Sequence, residues 1–452
     1  MKGSPVMTVD NLKNIFQEYG IAGAGGAGFP SYAKLNEKAD TIILNCAECE
    51  PLLKVHREVL KNYTYEIMCG LTMLSEAMGN AKCIIAIKPS YKTTVQAVKD
   101  QLSAFPNIEI KYLPEIYPAG DEVVTIYEAT GRIVPPGSIP ISVGCIVYNV
   151  ETVLNIYRAV SENAPVTHKY VTLTGEVNKT VTLCVPIGTS FSTLIKLAGG
   201  ATIDDYEIIN GGPMTGTIAT TSDVVTKTTN ALIILPKNHP VVVSKQAKIS
   251  IGVKRIMASC CQCRSCTELC SRNLLGHPIE PHEIMRAMSS GKVSKPQAII
   301  NAAYCSGCGI CELYACPQGL HPRTIIAELK AALRQNKVQL PKIEEAPTAN
   351  PKRDYKLVSK HRLTSRLGLA KYNKAARLDK TDVVADSVKI MFSQHLGAPA
   401  TPVVKKGDIV SCGQKIAVAE TDALSLNIHS SISGKVIQIC DQYAVIKGGT
   451  TK

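Results

Sequence analysis

The segment GIAGAGGAGFP, from Gly20 to Pro30, places five glycines among eleven residues. Gly23, Gly25 and Gly28 spell G-x-G-x-x-G, the dinucleotide fingerprint that follows a β-strand in a Rossmann fold. Here the preceding residues, TVDNLKNIFQEYG, carry apolar side chains at every third or fourth position, which is the period of a helix. The sequence therefore predicts a helix that runs into a glycine loop, and it argues against a Rossmann fold.

The glycine loop itself is predicted to bind a phosphate group. Glycines permit left-handed backbone angles and let a ligand approach the N–H groups, which together form an anion nest. Lys34 follows closely and could supply a cation. A flexible surface turn is the alternative, but glycine interleaved with alanine, without serine or charge, fits a linker poorly.

The composition points to an intracellular metalloprotein. The 452 residues include 17 cysteines, nine of them between Cys260 and Cys316. The sequence shows no signal peptide and no transmembrane segment, so we expect a cytoplasmic protein, in which clustered cysteines indicate metal rather than disulfides. A net charge of +13 alone would permit nucleic-acid binding, but no basic and aromatic interleaving supports it.

Two cysteine runs have the spacing of iron–sulfur ligands, C-x2-C-x2-C-x3-C and C-x2-C-x2-C-x4-C-P. In two-cluster ferredoxins the fourth cysteine of each run binds the cluster of the other run. The expected ligands are Cys260, Cys263, Cys266 and Cys316 for one [4Fe–4S] cluster, and Cys305, Cys308, Cys311 and Cys270 for the second. A pair of zinc knuckles is the less favoured alternative. Cys261, the ninth cysteine, is either a bystander or a substitute ligand.

Short β-rich runs and helical segments alternate between residues 41 and 165, which predicts an α/β domain with a largely parallel sheet. The strand candidates are TIILN, CIIAI, IEIKYL and GCIVYN. Residues 168–236 contain a hairpin, a capped helix and further strands, which predicts a small β-grasp module. Because iron–sulfur clusters carry single electrons, a converter of hydride pairs is needed, and flavin is the common one. The glycine loop is therefore a candidate site for the phosphate of FMN.

Several motifs now support a family resemblance. GIAGAGGAGFPSYAKL, NCAECEP, YPAGDE and YNVET resemble the FMN-binding domain of the NADH-oxidising subunit of complex I and the RnfC subunit of the Rnf complex. With DEVVTIYEATGRIVPP, INGGPM and SKHRLTSRLGL, the likeness to the flavin and iron–sulfur cobalamin reductases of propanediol-utilising bacteria runs nearly end to end. Residues 168–236 are similar to an SLBB β-grasp domain, and the tail resembles a biotinyl/lipoyl-type barrel-sandwich.

The resemblance implies a flavin site formed by Gly23, Gly25, Gly26, Gly28, Lys34, Asn45, Glu48, Tyr117, Gly120, Glu122 and Asn149. The glycines would line the FMN phosphate and ring, the lysine would neutralise the phosphate, and the remaining side chains would contact the flavin or the nicotinamide. The chain departs from the complex I pattern at Ala47 and Tyr148, where that family has Asp and Asn. Cys46 and Cys49, within NCAECEP, are expected to be buried small residues rather than redox thiols.

The resemblance also implies a function, with no catalytic residue beyond the cofactors. Electrons would pass from NADH through FMN and two [4Fe–4S] clusters to cobalamin, from cob(III)alamin to cob(II)alamin and cob(I)alamin. Corrinoid and NADH would bind, an adenosyltransferase or a microcompartment shell protein would be a partner, and the location would be a bacterial microcompartment. Two alternatives stay open: an electron-entry protein like RnfC, serving a membrane complex or another reductase, and a non-catalytic iron–sulfur scaffold.

The predicted domains are an FMN- and NADH-binding α/β domain (1–165), an SLBB β-grasp domain (166–245), a two-cluster ferredoxin-like domain (246–335), a basic linker (336–380) and a barrel-sandwich hybrid domain (381–452). The basic linker is expected to be solvated, with a docking surface for an acidic partner or a corrinoid phosphate as the alternative. The tail has no lysine in its segment ETDALSLNIHS, so we expect a structural or docking module rather than a swinging arm.

Overall fold

The structure is a computed structural model that describes residues 7–341, 343 and 347–449. The outer limits of the predicted first and last domains, residues 1 and 452, lie outside the described residues. In the described part of the chain, no helix is both long enough and apolar enough to cross a membrane.

A parallel sheet forms the centre of the N-terminal α/β unit, as predicted. The elements are α1 (Val9–Glu18), β1 (Thr41–Cys46), α2 (Val55–Asn62), α3 (Thr64–Ala77), β2 (Lys82–Ile87), α4 (Lys92–Gln101), β3 (Ile108–Tyr112), β4 (Ile116–Tyr117), α5 (Glu122–Thr130), β5 (Cys145–Asn149) and α6 (Val150–Ser161). Four strands pair in parallel in the order β3-β2-β1-β5. All of β1 is buried, because its residues alternate between two hydrophobic cores, one on each face of the sheet.

The helix α1 enters the glycine loop, as its apolar period predicts. Leu12 and Phe16 are fully buried, and the backbone turns at Gly20 with a φ of +69°. A Cβ at Gly20 would collide with the carbonyl oxygen of Asn427, so only glycine fits this turn. Because the loop follows a helix and not a strand, its G-x-G-x-x-G spelling is not a Rossmann fingerprint.

The second unit is a β-grasp fold, as predicted from its hairpin, helix and later strands. The elements are β6 (His168–Gly175), β7 (Val181–Pro186), α7 (Phe191–Leu197), β8 (Tyr206–Asn210), β9 (Thr217–Ala219) and β10 (Ala231–Pro236). The strands β6 and β7 form the antiparallel hairpin, whereas β10 returns parallel to β6. The Ser190 hydroxyl caps α7 by accepting a hydrogen bond from the Thr193 N–H.

Short helices frame the two cysteine runs. They are α8 (Pro240–Lys245), α9 (Ile249–Ser259), α10 (Ser265–Glu268), α11 (Ser271–Leu274), α12 (Pro281–Ser290), α13 (Pro296–Ile300), α14 (Ile310–Leu313) and α15 (Pro322–Gln335). Buried Ile256, Ile284 and Ile326 form the core of this region, with four of the cysteines packed against it. The cysteines lie in and between the shortest helices, where tight turns bring their side chains together.

Residues 347–380, most of the predicted basic linker, pack into the molecule and are not a solvated linker. The elements are β11 (Val358–Ser359), α16 (Lys360–Arg366) and β12 (Leu378–Asp379). The strand β11 pairs with β4 of the first unit, and β12 adds an edge to the β-grasp sheet. Leu363 and Leu369 are fully buried in the core that these units share. The segment therefore forms a strap between two units.

Four cations of the strap are held by other parts of the molecule. Arg353 pairs with Glu128, Lys356 with Glu268, and Lys371 with Glu176 at 3.1 Å. Lys360 donates to the carbonyl oxygen of Glu48. Sequence alone shows the charge of such a segment, but not the distant carboxylates and carbonyls that it meets in the fold. Five other cations of the strap, Lys352, Arg362, Arg366, Lys374 and Arg377, are exposed and form no ion pair with a described residue, so the docking surface that the sequence left open stays a prediction.

The tail forms two small sheets, which agrees with the predicted barrel-sandwich. The strands are β13 (Ser387–Met391), β14 (Thr401–Pro402), β15 (Ile409–Val410), β16 (Lys415–Val418), β17 (Ile428–His429), β18 (Gly434–Ile439) and β19 (Tyr443–Gly448). They pair in the orders β13-β19-β18-β15 and β14-β16-β17. Their inward residues form a separate aliphatic core.

A buried lysine joins the tail, the β-grasp unit and the glycine loop. Lys227 is 3% exposed, and its Nζ donates to the carbonyl oxygens of Gly20 at 2.6 Å and Asn427 at 3.3 Å. At the other end of the loop, the Leu396 N–H donates to the Gly28 carbonyl oxygen at 3.1 Å. The tail therefore holds the loop at both ends.

The junction predicts a pH-dependent stability. Burial lowers the pKa of Lys227 to about 7 from the usual value near 10.5. Between these values the unfolded chain binds a proton that the folded chain does not, so this lysine makes the free energy of unfolding rise with pH, by up to about 1.4 kcal/mol per pH unit. Lys227→Met should remove that rise. We expect the difference in thermal midpoint, wild type minus variant, to increase between pH 7 and pH 9.

The matched control is Lys435→Met, which alters an exposed lysine of the same tail. It should leave the pH dependence of the thermal midpoint as in the wild type. A difference between wild type and Lys227→Met that is constant over this pH range would contradict the account.

Candidate functional site

A cavity of about 550 Å³ lies where the α/β unit, the β-grasp unit and the cysteine region meet. The predicted flavin-site residues that line it are Gly25, Gly26, Asn45, Glu48, Tyr117, Gly120 and Asn149. The other four, Gly23, Gly28, Lys34 and Glu122, are not among its lining residues. The structure thus brings seven of the eleven predicted residues to one cavity.

The glycine loop presents its middle to the cavity. An ideal Cβ at Gly25 would lie 2.9 Å from the Asn149 side-chain nitrogen and 3.0 Å from that of Asn230, and Gly26 has a φ of +64°. In the described part of the chain, neither the Gly25 nor the Gly26 N–H donates a hydrogen bond. Backbone N–H groups and side-chain amides that converge in this way suit an anion such as a phosphate.

The two outer glycines have different roles. The Gly23 N–H donates to the Phe29 carbonyl oxygen at 2.9 Å, which closes the loop on itself. A Cβ at Gly28 would lie 2.7 Å from Cγ2 of Thr228 and 3.2 Å from the Gln394 carbonyl oxygen. Gly28 is therefore needed for packing against the β-grasp unit and the tail.

Lys34 and Glu122 pair with each other rather than with a ligand in the cavity. Their Nζ and Oε1 atoms are 2.8 Å apart, and Lys34 also donates to the Val147 carbonyl oxygen at 2.9 Å. The predicted roles of Lys34 as the phosphate cation and of Glu122 as a wall of the flavin site stay predictions, and this ion pair would have to open for either. The sequence could not show that residues 88 positions apart would neutralise each other.

The segment NCAECEP forms a wall whose polar side chains are held by the protein. Glu48 accepts from the His56 N–H at 2.8 Å and from Arg57 Nε at 2.7 Å. Burial opposes ionisation of Glu48, but Arg57 and His56 hold its pKa at about 2. Asn45 Nδ2 donates to the Gly120 carbonyl oxygen at 3.0 Å. These bonds fix the shape of the wall, with Glu48 ionised at neutral pH.

The two departures from the complex I pattern lie behind this wall. Neither Ala47 nor Tyr148 is a lining residue. The Ala47 carbonyl oxygen accepts from Tyr91, and the Tyr148 hydroxyl donates to the Ser31 carbonyl oxygen at 3.2 Å. Both are buried, and a Cβ at the lining residue Gly120 would lie 3.5 Å from the Ala47 Cβ.

His56 offers a polar atom that the protein does not use. It lines the cavity, and its Nε2 is buried without a hydrogen-bond partner among the described residues. Burial lowers the pKa of His56 to about 4, so the ring is neutral at physiological pH. By contrast, burial raises the pKa of the lining residue Cys49 to about 11, so that thiol stays protonated. An unreactive Cys49 agrees with the expectation of a small packing residue.

The β-grasp unit contributes a wall that sequence reasoning missed. Its lining residues are Asn210, Gly211, Gly212, Thr215, Gly216, Thr217, Thr228 and Asn230. Glu50 clamps this turn, because its carboxylate accepts from the N–H groups of Met214 at 2.9 Å and Thr215 at 3.0 Å. The segment NGGPMTG could have predicted this wall, since it follows a strand and is rich in glycine, as the first loop is.

The eight predicted ligand cysteines form two groups that cross between the runs. Burial, together with the neighbouring thiols of Cys263, Cys316 and Cys260, raises the pKa of Cys266 to about 12. Cys316 thus joins the cysteines of the first run. All four also line one small cavity.

The second group is assembled in the same way. Burial, together with the nearby Cys270 and Cys305, raises the pKa of Cys308 to about 12. Cys311 has its pKa raised by burial and by Cys305, Cys308 and Cys270. Cys270, from the first run, therefore lies among the cysteines of the second.

The donor set fits an iron–sulfur cluster better than a zinc ion. Each group consists of four sulfur donors, the ligands of both kinds of site. A tetrahedral zinc ion would draw its sulfurs to within roughly 4 Å of one another, given Zn–S bonds of about 2.3 Å. Among the described residues, no three cysteine sulfurs lie within 4.8 Å of one another. The wider spacing leaves room for a multi-iron cluster.

The second cysteine group adjoins the cavity. Cys308 is a lining residue, and its carbonyl oxygen accepts a hydrogen bond of 2.6 Å from the Tyr117 hydroxyl. Arg272 holds Asp121 at 3.0 Å, which ties the start of α5 to the residues after Cys270. The first group lies nearer the surface, with Cys263 exposed. The order in space is cavity, Cys308 group, Cys263 group.

Four family models match the chain in the order of its structural units. They are the Nuo51 FMN-binding domain (residues 16–158), the SLBB domain (170–218), the 4Fe-4S dicluster domain (259–321) and the RnfC barrel sandwich hybrid domain (371–451). These matches confirm the predicted fold class. They also support FMN and iron–sulfur cofactors, and the matched ranges contain the glycine loop and the two cysteine runs.

The chain is 42% identical to the cobalamin reductase PduS of Citrobacter freundii and 39% identical to that of Salmonella typhimurium, over 98% of each chain in both cases. It belongs to the PduS family. A component of the Na(+)-translocating ferredoxin:NAD(+) oxidoreductase complex of Acetobacterium woodii is 30% identical over 59% of each chain. The PduS relatives therefore account for the whole chain, whereas the Rnf-type relative matches little more than half.

The loop geometry predicts that Gly25 and Gly23 of this PduS family member tolerate substitution differently when FMN binding is measured. Gly25→Ala should raise the dissociation constant for FMN at least about tenfold, because the new methyl group would press on the Asn149 and Asn230 amides. Gly23→Ala is the matched control, since its Cβ would meet nothing nearer than the Phe29 carbonyl oxygen at 3.4 Å. Flavin fluorescence titration of the flavin-free protein measures both. Equal losses of affinity would contradict the placement of the loop.

The two crossed cysteine groups predict which substitutions remove the same iron–sulfur signal. Cys270→Ser should remove the same iron signal as Cys308→Ser, and Cys316→Ser the same signal as Cys263→Ser. Cys261 lines the same small cavity but falls outside the C-x2-C-x2-C spacing, so Cys261→Ser should retain both signals. Iron analysis with EPR of the reduced proteins distinguishes the variants. If Cys270→Ser resembled Cys263→Ser instead, each run would bind its own cluster.

Proposed function

We propose that this chain is an oxidoreductase that reduces cobalamin with electrons from NADH, by means of FMN and two [4Fe–4S] clusters. The observation that carries the proposal is the position of Cys308, a candidate cluster ligand, in the wall of the cavity that the glycine loop lines. FMN would accept electrons as a pair and release them singly, and iron–sulfur clusters carry them one at a time. Membership of the PduS family supports cobalamin as the acceptor.

The residues of the cavity have separate tasks in this proposal. The N–H groups of Gly25 and Gly26, with the amides of Asn149 and Asn230, hold the phosphate end of FMN. Asn45 keeps the opposing wall in place through its bond to Gly120. These groups bind and orient, and none of them needs to transfer a proton.

The two clusters would act in series. The group of Cys270, Cys305, Cys308 and Cys311 would receive electrons first, because it adjoins the cavity. The group of Cys260, Cys263, Cys266 and Cys316 would deliver them, because it is the more exposed. An adenosyltransferase or shell protein as partner and a microcompartment as location follow from the family relationship alone. We also propose the five domains with the limits given above, in which residues 347–380 form the strap.

An anaerobic experiment tests the proposal. The protein is reconstituted with iron, sulfide and FMN, NADH is added, and the flavin and corrinoid absorption bands are followed together. We expect the flavin to bleach and cob(II)alamin to appear without any further protein. Bleaching with an unchanged corrinoid would indicate an electron-entry module for another acceptor, as in the Rnf-like alternative. No bleaching would contradict NADH as the donor. The loss of the family's Asp at Ala47 would then be the first explanation to test.

A further inference from the structure

The surface around the Cys263 group has an unusual charge. From residue 246 to residue 264 the chain contains four cations and no carboxylate: Lys248, Lys254, Arg255 and Arg264. All four are exposed, and none forms an ion pair with a described residue. The segment that leads into the more exposed cluster site is therefore positively charged along its length.

The same surface exposes apolar side chains. On α9, Ile251 is 55% exposed and Met257 is 58% exposed. Arg255 donates to the Gln318 carbonyl oxygen, which joins α9 to the exposed turn after Cys316. The helix α9, residues 260–264 and residues 317–319 thus form one continuous surface, called the α9 face below. Apolar residues ringed by unpaired charge are typical of a protein-binding surface.

The cavity that the cysteines of the α9 face line measures about 30 Å³, whereas small-molecule sites measure about 300–1,000 Å³. A protein that brings its own redox centre to the surface does not need such a cavity. The charge of the face selects a partner of opposite sign, because electrostatic complementarity steers association.

We propose that the α9 face is where electrons leave this chain, and that it docks a protein whose redox centre lies within an acidic surface. The inference rests on the proposed order of the clusters, and it names the kind of partner that the last cluster serves. Each encounter would transfer one electron from the Cys263 cluster to the partner, which is reduced while the cluster is oxidised.

The test uses charge-reversed protein that has been reconstituted and reduced with dithionite, so that it does not depend on NADH. The variant carries Lys254→Glu, Arg255→Glu and Arg264→Glu. Its control carries Lys405→Glu, Lys406→Glu and Lys435→Glu, which change net charge equally on exposed sites of the tail. The probes are cytochrome b5, an acidic one-electron acceptor, and cytochrome c, a basic one. Iron and flavin contents confirm that both variants are loaded.

At low ionic strength, we expect the α9 variant to reduce cytochrome b5 at least about tenfold more slowly than the wild type, and cytochrome c faster. The tail variant should stay within about twofold of the wild type. Equal effects of the two variants, or no effect of either, would overturn the proposal. The proposal would also be overturned if the α9 variant reduced free hydroxocobalamin as much more slowly than the wild type as it reduces cytochrome b5. That result would mean that the α9 face binds the corrinoid itself. Failure of NADH to bleach the flavin would contradict only the proposed donor.

Discussion

The hydrogen bond from the Tyr117 hydroxyl to the Cys308 carbonyl oxygen, 2.6 Å long, holds a candidate cluster ligand in the wall of the cavity. Electron transfer weakens steeply with separation, so a flavin site is useful only beside its first acceptor. Tyr117 comes from the α/β unit and Cys308 from the cysteine region. Glu50 adds the β-grasp unit, by clamping the turn at Met214 and Thr215. The site therefore exists only where three units meet.

Some of the lysines that make up the excess of basic residues have a structural role inside the molecule. Lys88, Lys169 and Lys227 are almost fully buried, and each donates to a backbone carbonyl oxygen. Lys227 and the strap lysine Lys360 donate to carbonyl oxygens of other units, and the flexible side chain of Lys227 satisfies two chain segments at once. The formal charge of +13 is therefore not the charge of the surface. Residues 246–264 stand out instead because they carry four exposed cations, none of them paired with a described residue, and no carboxylate.

Local patterns made much of this architecture predictable. The helical period of α1, the four apolar strands and the cysteine spacing depend on near neighbours, and the ferredoxin rule predicted that Cys270 and Cys316 would cross between groups. The predicted site residues that do not line the cavity contact distant partners instead. Lys34 meets Glu122, and Gly28 meets Thr228 and the tail. No single-sequence pattern shows such contacts, and for the same reason the β-grasp wall of the cavity was missed.

The most direct test of the central claim is the order in which the two clusters are reduced. The loaded protein is mixed anaerobically with NADH, frozen at successive times and examined by EPR, with Cys308→Ser and Cys263→Ser variants to assign the signals. The account predicts that the signal absent from Cys308→Ser appears first and the signal absent from Cys263→Ser follows. If the Cys263 cluster were reduced first, the cavity beside Cys308 would not be where electrons enter.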